Sequence, residues 1–398
     1  MNDNPIQSFG PLEGIRVLDL SRILAGPTCT QLLGDYGADI IKVEKPGLGD
    51  DTRSWGPPYV TGKDGEPTAE SAYYLSANRN KRSIAIDLTT DEGAKTILEL
   101  AGKCDIVVEN FKTGGLKKYG LDHASLLAKY PNLVYCSITG FGQTGPNSHK
   151  PGYDLLAQAY GGIMSLTGAK DGEPMKVGVA IADVVCGLYA STAILAALHN
   201  RDNTGLGQHI DIGLVDTQVA WLINAGTNYL SSGKATQRLG NEHPNIVPYQ
   251  VFEASDGHVV VAAGNDTQYQ RLCAGLQRED LAQHPDYTTN SLRVANRDTL
   301  VPILSSETKK HSKAKLEAIL EQQGVPGGPI NTVPDVLASD QVAARDMQIS
   351  MDDDHAQSGK VELIGNPVKF SKTPVTYRRP PPACGQHTDE VLDDLLNS

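Results

Sequence analysis

Several features that would assign this 398-residue sequence quickly are missing from it. Its six cysteines, Cys29, Cys104, Cys136, Cys186, Cys273 and Cys384, stand singly, with no CxxC pair and no His/Cys ligand spacing. That excludes a disulfide framework and fits reduced thiols in a cytoplasmic protein. Ten histidines form no HExxH motif or paired cluster, so no metal is expected. Positive charge is in deficit, with 35 Lys and Arg against 47 Asp and Glu, a formal net charge of −12. A broad nucleic-acid-binding face needs the opposite balance and is excluded. The N-terminal MNDNPIQSFG has neither a basic start nor an apolar core, so no signal peptide is expected. Internal repeats and low-complexity tracts are absent as well.

What is present is one long apolar run, Val177 to Asn200, VGVAIADVVCGLYASTAILAALHN, broken by a single carboxylate, Asp183. The run is about long enough to span a bilayer, but an ionised Asp inside it would cost roughly 2.5–3.5 kcal/mol there. A buried helix, and no membrane partner, is the expectation. Val184, Leu188, Ser191, Leu195 and Leu198 recur at three- and four-residue spacing, which predicts a helix packed on most sides with Asp183 in its first turn. Two compatible roles stay open for Asp183. It caps the free amides of that turn, or, ionised and held in one rotamer by them, it serves as a nucleophile.

Around this run the chain alternates. Strands are expected at Ile15–Leu20, Asp39–Glu44, Ser83–Asp87, Asp105–Glu109, Leu133–Ile138 and Gln208–Gly213. Helices fall at Thr28–Tyr36, Asp91–Gly102, Gly115–Tyr119, Ala124–Lys129 and Asp216–Leu230. The pattern is that of an α/β fold with a doubly wound parallel sheet covered on both faces. The turn after the first strand reads SRILAGP and has no GxGxxG, so a nucleotide redox cofactor is not expected. Lys42, Lys45, Arg53, the run Asn78-Arg79-Asn80-Lys81-Arg82, Lys112, Lys117 and Lys118 gather near strand ends, where parallel sheets hold ligands; together they point to a phosphate-bearing ligand. Beyond a polar linker, Pro248–Ala263 reads as a hairpin turning at Ser255-Asp256-Gly257, followed by helices at Thr267–Leu276 and Thr299–Gln323 and a short one after Gly385.

The blocks PLEGIRVLDLSRILAGP, GADIIKVEKPGLGDDTR, NRNKRSIAIDL, DIVVENF, GFGQTGP, AIAD at Ala180–Asp183, TGLGQHIDIGLVD, GVPGGPINT and GQHTDEVL, in this order, resemble the class III CoA-transferases, the formyl-CoA transferase and L-carnitine CoA-transferase family. The resemblance implies an interlocked homodimer whose chains each carry a Rossmann-like large domain (1–230), a linker (231–244), a smaller α/β domain (245–327) and a C-terminal return to the large domain (328–398). It implies acyl-CoA and small carboxylate substrates, with coenzyme A as carrier and no other cofactor. Asp183 falls at the position of the covalent nucleophile. Arg22, Ile23, Ala25, Lys45, Ile86, Asn110, Phe111 and Lys118 fall where relatives line the CoA site. Lys118 stands where relatives often have Arg, which keeps the charge but not the two-pronged phosphate contact.

Gly140, Phe141 and Gly142 are candidates for stabilising an oxyanion, and Tyr153, His243 and Tyr249, together with Arg22, for the substrate or the acceptor's second carboxylate. Formyl-CoA transferases carry a run of glycines where Arg238–Gln250, RLGNEHPNIVPYQ, has one. The chain is more similar there to members that move CoA from succinyl-CoA to dicarboxylates such as itaconate, glutarate or mesaconate. Two other readings are an α-methylacyl-CoA racemase and an inactive CoA-binding regulatory chain. The racemase's second base is a His in Gly-His-Asp, where this chain has Gly152-Tyr153-Asp154, and a tyrosine with pKa near 10 is a poor base at neutral pH. Against the inactive chain stands an intact Asp183.

Overall fold

The computed structural model describes residues 10–397; the segment read for a signal peptide lies, save Gly10, outside them. The chain divides into two compact units. The first takes the chain up to Ile163, Lys176–Gly233 and everything from Asp340; the second takes Met164–Met175 and Lys234–Ser339. The return to the first unit thus comes at Asp340 rather than 328, and most of the 231–244 linker belongs to the second unit.

The first unit is built on six parallel strands: β1 (Arg16–Asp19), β2 (Asp39–Glu44), β3 (Lys81–Ala85), β4 (Ile106–Glu109), β5 (Val134–Thr139) and β6 (His209–Gly213). Their order is β3-β2-β1-β4-β5-β6, and Val17 of β1 pairs with Ile40 on one side and Ile106 on the other. Strands buried on both faces favour apolar residues, and β2, β4 and β5 have every residue but Asp39 buried, with Lys42 and Glu44 of β2 in ion pairs. One face packs Val17, Ile40, Ile106 and Val108 against α1 (Ala25–Asp35) and the long helix; the other packs Leu18, Ile41 and Val107 against α2 (Asp91–Ala101) and α3 (His123–Lys129). The order turns back between β1 and β4. In such sheets the loops at the carboxyl ends on either side of that reversal part and leave a crevice.

Three later helices complete the part of this unit that bears on the site: α4 (Asp154–Tyr160), α5 (Ile181–Thr204) and α6 (Leu214–Ala220), followed by α7 (Ile223–Ser232). Helix α5 lies close on α1 because Gly187 has no side chain; a Cβ there would stand 2.7 Å from the Ala25 carbonyl oxygen. Small residues (Ala182, Gly187, Ala190) therefore face inward, and Leu188, Tyr189 and Leu195 are left exposed. Of the expected stripe, Ser191 and Leu198 are buried but Leu188 and Leu195 are exposed, because close helix contact selects small residues over large apolar ones. Although long and apolar enough to cross a membrane, α5 buries half of its most apolar stretch inside the protein.

Two expected helices are each two. Asp216–Leu230 breaks between α6 and α7, where Ile223 takes a φ of +42°. Thr299–Gln323 breaks ahead of Ser312, whose hydroxyl caps a new helix by accepting from the Lys315 amide. The second unit holds the expected hairpin, Tyr249–Ala254 with Gly257–Ala262, extended by Gly327–Pro329, over a core of Phe252, Val259, Val261, Leu272 and Leu300. Two short hairpins of the first unit, Tyr59–Thr61 with Pro67–Ser71 and Gln348–Asp352 with Lys360–Ile364, were not anticipated.

Most of the basic cluster is architectural, which corrects the phosphate reading for it. Lys42 pairs with Asp50 (2.8 Å), Arg53 with Glu44 (2.6 Å), Arg79 with Asp35 (2.6 Å), Lys81 with Asp19 (3.2 Å) and Arg82 with Asp39 (2.5 Å), all five cations buried. A buried cation needs a partner at hand, and each has one.

Candidate active site

The crevice of the first unit is a cavity of about 860 Å³. Its wall brings together Arg22, Ile23, Ala25, Lys45, Ile86, Asn110, Phe111, Lys118, Gly140, Tyr153 and Asp183, residues drawn from seven separate stretches of sequence. Exposed Lys45, Lys112 and Lys118 also reach it, so three members of the basic set do face the crevice, while Lys117 does not line it.

The turn after β1 is fixed from two sides. The Arg22 amide donates to the Asn110 side-chain oxygen (3.0 Å), and the Asn110 side-chain nitrogen donates back to the Arg22 carbonyl (2.7 Å). The next amide, of Ile23, donates to both Asp50 carboxylate oxygens (3.2 Å each). Ile23 is thereby held at φ +71°, a left-handed conformation that costs a β-branched residue roughly 1–2 kcal/mol. Asp50 sustains it. Burial alone would raise the Asp50 pKa, but the Lys42 ammonium and the hydrogen bonds from Thr52 together outweigh burial and hold it at about 2. On the other side of the reversal, Glu109 accepts the Phe111 amide at 2.8 Å and so sets the turn carrying Asn110 and Phe111.

Asp183 sits in the first turn of α5 but does not cap it. The helix has no side-chain cap of its own. The amide of Ala182 donates instead to Asp154 Oδ1 at 2.8 Å, and Asp154 Oδ2 accepts from Gln158 Nε2 at 2.7 Å. Gln158 Oε1 in turn accepts the Val177 amide at 2.9 Å, so the approach to α5 is stapled to α4. Asp183 is 9% exposed and its carboxylate makes no hydrogen bond to the described residues. Burial first, and the neighbouring Asp154 second, push its pKa up to about 7. The expectation that helix amides keep it ionised is corrected accordingly, since the amide in question belongs to Asp154.

Gly140 and Gly152 cross in backbone contact at the rim; a Cβ on Gly140 would lie 2.4 Å from the Gly152 Cα. That crossing brings Tyr153 and Asp154 to the wall beside β5. Phe141 and Gly142 are not part of the wall: Phe141 packs its ring on Tyr160 (5.1 Å between centroids), and Gly142 lies against Asp211 and Asp216. His243 and Tyr249 belong to the second unit, where their rings lie 5.2 Å apart and the His243 amide donates to the Tyr249 carbonyl. Sequence reasoning missed Trp55, Tyr73, Thr139, Lys150, Asp154 and Lys176, all on the wall. The Thr139 hydroxyl is buried there without a partner among the described residues, which leaves a donor for a bound molecule. Only Asp154 carried a signal, as the third residue of Gly152-Tyr153-Asp154.

The arrangement joins an unbonded carboxylate to a long groove with cations along it, which suits attack on a carbonyl at the end of an extended anionic ligand. Comparison with known proteins agrees. The model of CoA-transferase family III matches residues 12–388. The succinate–glutarate CoA-transferase of Agrobacterium fabrum is 48% identical over 97% of this chain and 96% of that protein. The human succinyl-CoA:glutarate CoA-transferase is 45% identical over 98% of this chain and 87% of that protein. A crystal structure of a CAIB/BAIF family protein from Brucella suis superposes with a TM-score of 0.87 at 47% identity, covering 98% of this chain and all of that one. By these matches over nearly its whole length, the chain belongs to CoA-transferase family III.

Proposed function

We propose that this enzyme moves coenzyme A from succinyl-CoA to a dicarboxylate of the glutarate, itaconate or mesaconate class through an aspartyl-CoA thioester on Asp183. One observation carries the reading: Asp183 is buried in the cavity wall with neither oxygen engaged in a hydrogen bond. The names of the relatives at 48% and 45% identity support the donor and the acceptor class.

The ionised Asp183 attacks the thioester carbonyl, the carbon–sulfur bond breaks, and a mixed anhydride and CoA thiolate result. The thiolate attacks the Asp183 side of the anhydride and releases succinate. The acceptor carboxylate then attacks aspartyl-CoA, and the thiolate returns to the acceptor's acyl carbon, restoring Asp183. One thioester is traded for another, so no ATP, metal or redox cofactor is required. A carboxylate suits the task because the anhydride it forms with an acyl group is reactive enough for the thiolate to open it again. Lys45, Lys112 and Lys118 attract the phosphates of CoA, Arg22, Ile23, Ala25, Ile86, Asn110 and Phe111 hold its length, and Gly140 with the Thr139 hydroxyl faces the developing oxyanion. Water must be kept from the anhydride.

The working form is a homodimer of interlocked chains, and Tyr153, on the cavity wall, contributes to the acceptor site. Support comes from the exposed apolar side of α4 to α7, with Leu155, Tyr160, Leu188, Tyr189, Ile223 and Leu230 all more than 40% exposed. A patch of that kind marks an interface. Six unbridged cysteines fit a cytoplasmic enzyme. The test is to offer succinyl-CoA with a panel of mono- and dicarboxylates and read new acyl-CoA species by mass. Five-carbon dicarboxylates should give new thioesters; products from monocarboxylates alone would refute the acceptor class.

A further inference from the structure

We infer that Asp154 is a positioning residue for Asp183, taking over the capping of α5 so that the nucleophile's own carboxylate is left without a bond and free to face the cavity. The inference rests on Asp183 being the nucleophile. A carboxylate in the first turn of a helix ordinarily turns back to bond the free amides, and one so engaged is fixed and less nucleophilic. Here Asp154 Oδ1 receives the Ala182 amide at 2.8 Å from the neighbouring helix α4. Gln158 grips the other oxygen of Asp154 and the Val177 amide, so the acceptor cannot swing away. Both carboxylates line one cavity, and like charges at close range oppose each other's ionisation.

The other groups around Asp183 do not duplicate this. Tyr73 of the same cavity wall, Cys186 on its own helix, Cys29 on α1 and Cys136 on β5 are all pushed by burial above their usual ranges and are neutral at pH 7. Asp216 of α6 bears on Cys186, not on Asp183. Lys176, on the cavity wall, turns its ammonium to the carbonyls of Val177 and Gly178 (3.2 and 3.5 Å). Asp154 is thus the one charged neighbour that both fixes the start of α5 and raises Asp183.

The two jobs separate by mutation. Asp154→Asn removes the charge and keeps an oxygen for the Ala182 amide; Asp154→Ser removes the charge with a smaller side chain, should the first variant not fold. Gln158→Leu loosens the staple and leaves the charge. The readout is kcat/KM for succinyl-CoA against pH, with single-turnover release of CoA thiol as a check on the chemical step. Either Asp154 variant should move the acid limb down by about one pH unit, whereas Gln158→Leu should lower the rate roughly tenfold with the limb in place. An acid limb unmoved in Asp154→Asn and Asp154→Ser overturns the inference. If wild-type enzyme is still acylated on Asp183 in that case, the proposed function stands without it. If Asp183 is never acylated, the proposed function itself fails.

Discussion

Asp183 is where chemistry and stability pull apart. A carboxyl raised from 3.8 to about 7 is neutral when buried and must lose its proton to attack. The sign follows: the group's cost to the fold is absent below pH 3.8, grows as pH rises, and is complete above pH 7. Asp183→Asn should therefore abolish transfer, keep affinity for CoA, and raise stability by on the order of 2–4 kcal/mol at pH 8.5 but little at pH 4. Denaturant melts at the two pH values check this, and equal gains at both would contradict the raised pKa. In the wild type, kcat/KM should fall on the acid side with a midpoint near pH 7, as a nucleophile needed in its ionised form requires.

Among the elements, the turn between β1 and α1 is the one most exposed to test. Its left-handed Ile23 is sustained by Asp50, which is in turn held ionised by buried Lys42. Asp50→Asn leaves that ammonium without its partner, a change that costs roughly 3–5 kcal/mol, and releases the turn; urea melts and KM for succinyl-CoA should both register it, with KM rising. Asp50 is depressed, so its sign is opposite to that of Asp183: its contribution is present above pH 3.8 and is lost as pH falls towards 2.

This turn also shows what the sequence could and could not convey. Strands β2, β4 and β5 were legible because each carries adjacent apolar residues between breaks in pattern, and β2 was placed to the residue. The basic residues near them looked like ligands because composition cannot see the carboxylates of distant strands; Asp19 and Lys81 are 62 positions apart yet bonded. Asp183 stood out as one charge in an apolar run. Asp154 was visible only as the third residue of Gly152-Tyr153-Asp154, and its role was not, because that depends on α4 lying against the start of α5.

For the whole molecule, the proposed threading of two chains, which the exposed apolar side chains of α4 to α7 support, makes a specific demand. Sedimentation should give a mass of two chains that does not fall on dilution to nanomolar concentration, since threaded chains separate only by unfolding. A mixture of one and two chains that shifts with concentration would contradict threading while leaving the chemistry of Asp183 intact.

That chemistry has one most direct measurement. Wild-type enzyme is mixed with succinyl-CoA without acceptor, quenched with hydroxylamine and digested, and the peptide holding Ala180–Asp183 is sequenced by mass spectrometry. The account predicts a hydroxamate on Asp183, formed when hydroxylamine captures its activated carboxyl and frees CoA or succinate. An unmodified Asp183, with the label on another residue or on none, would contradict it.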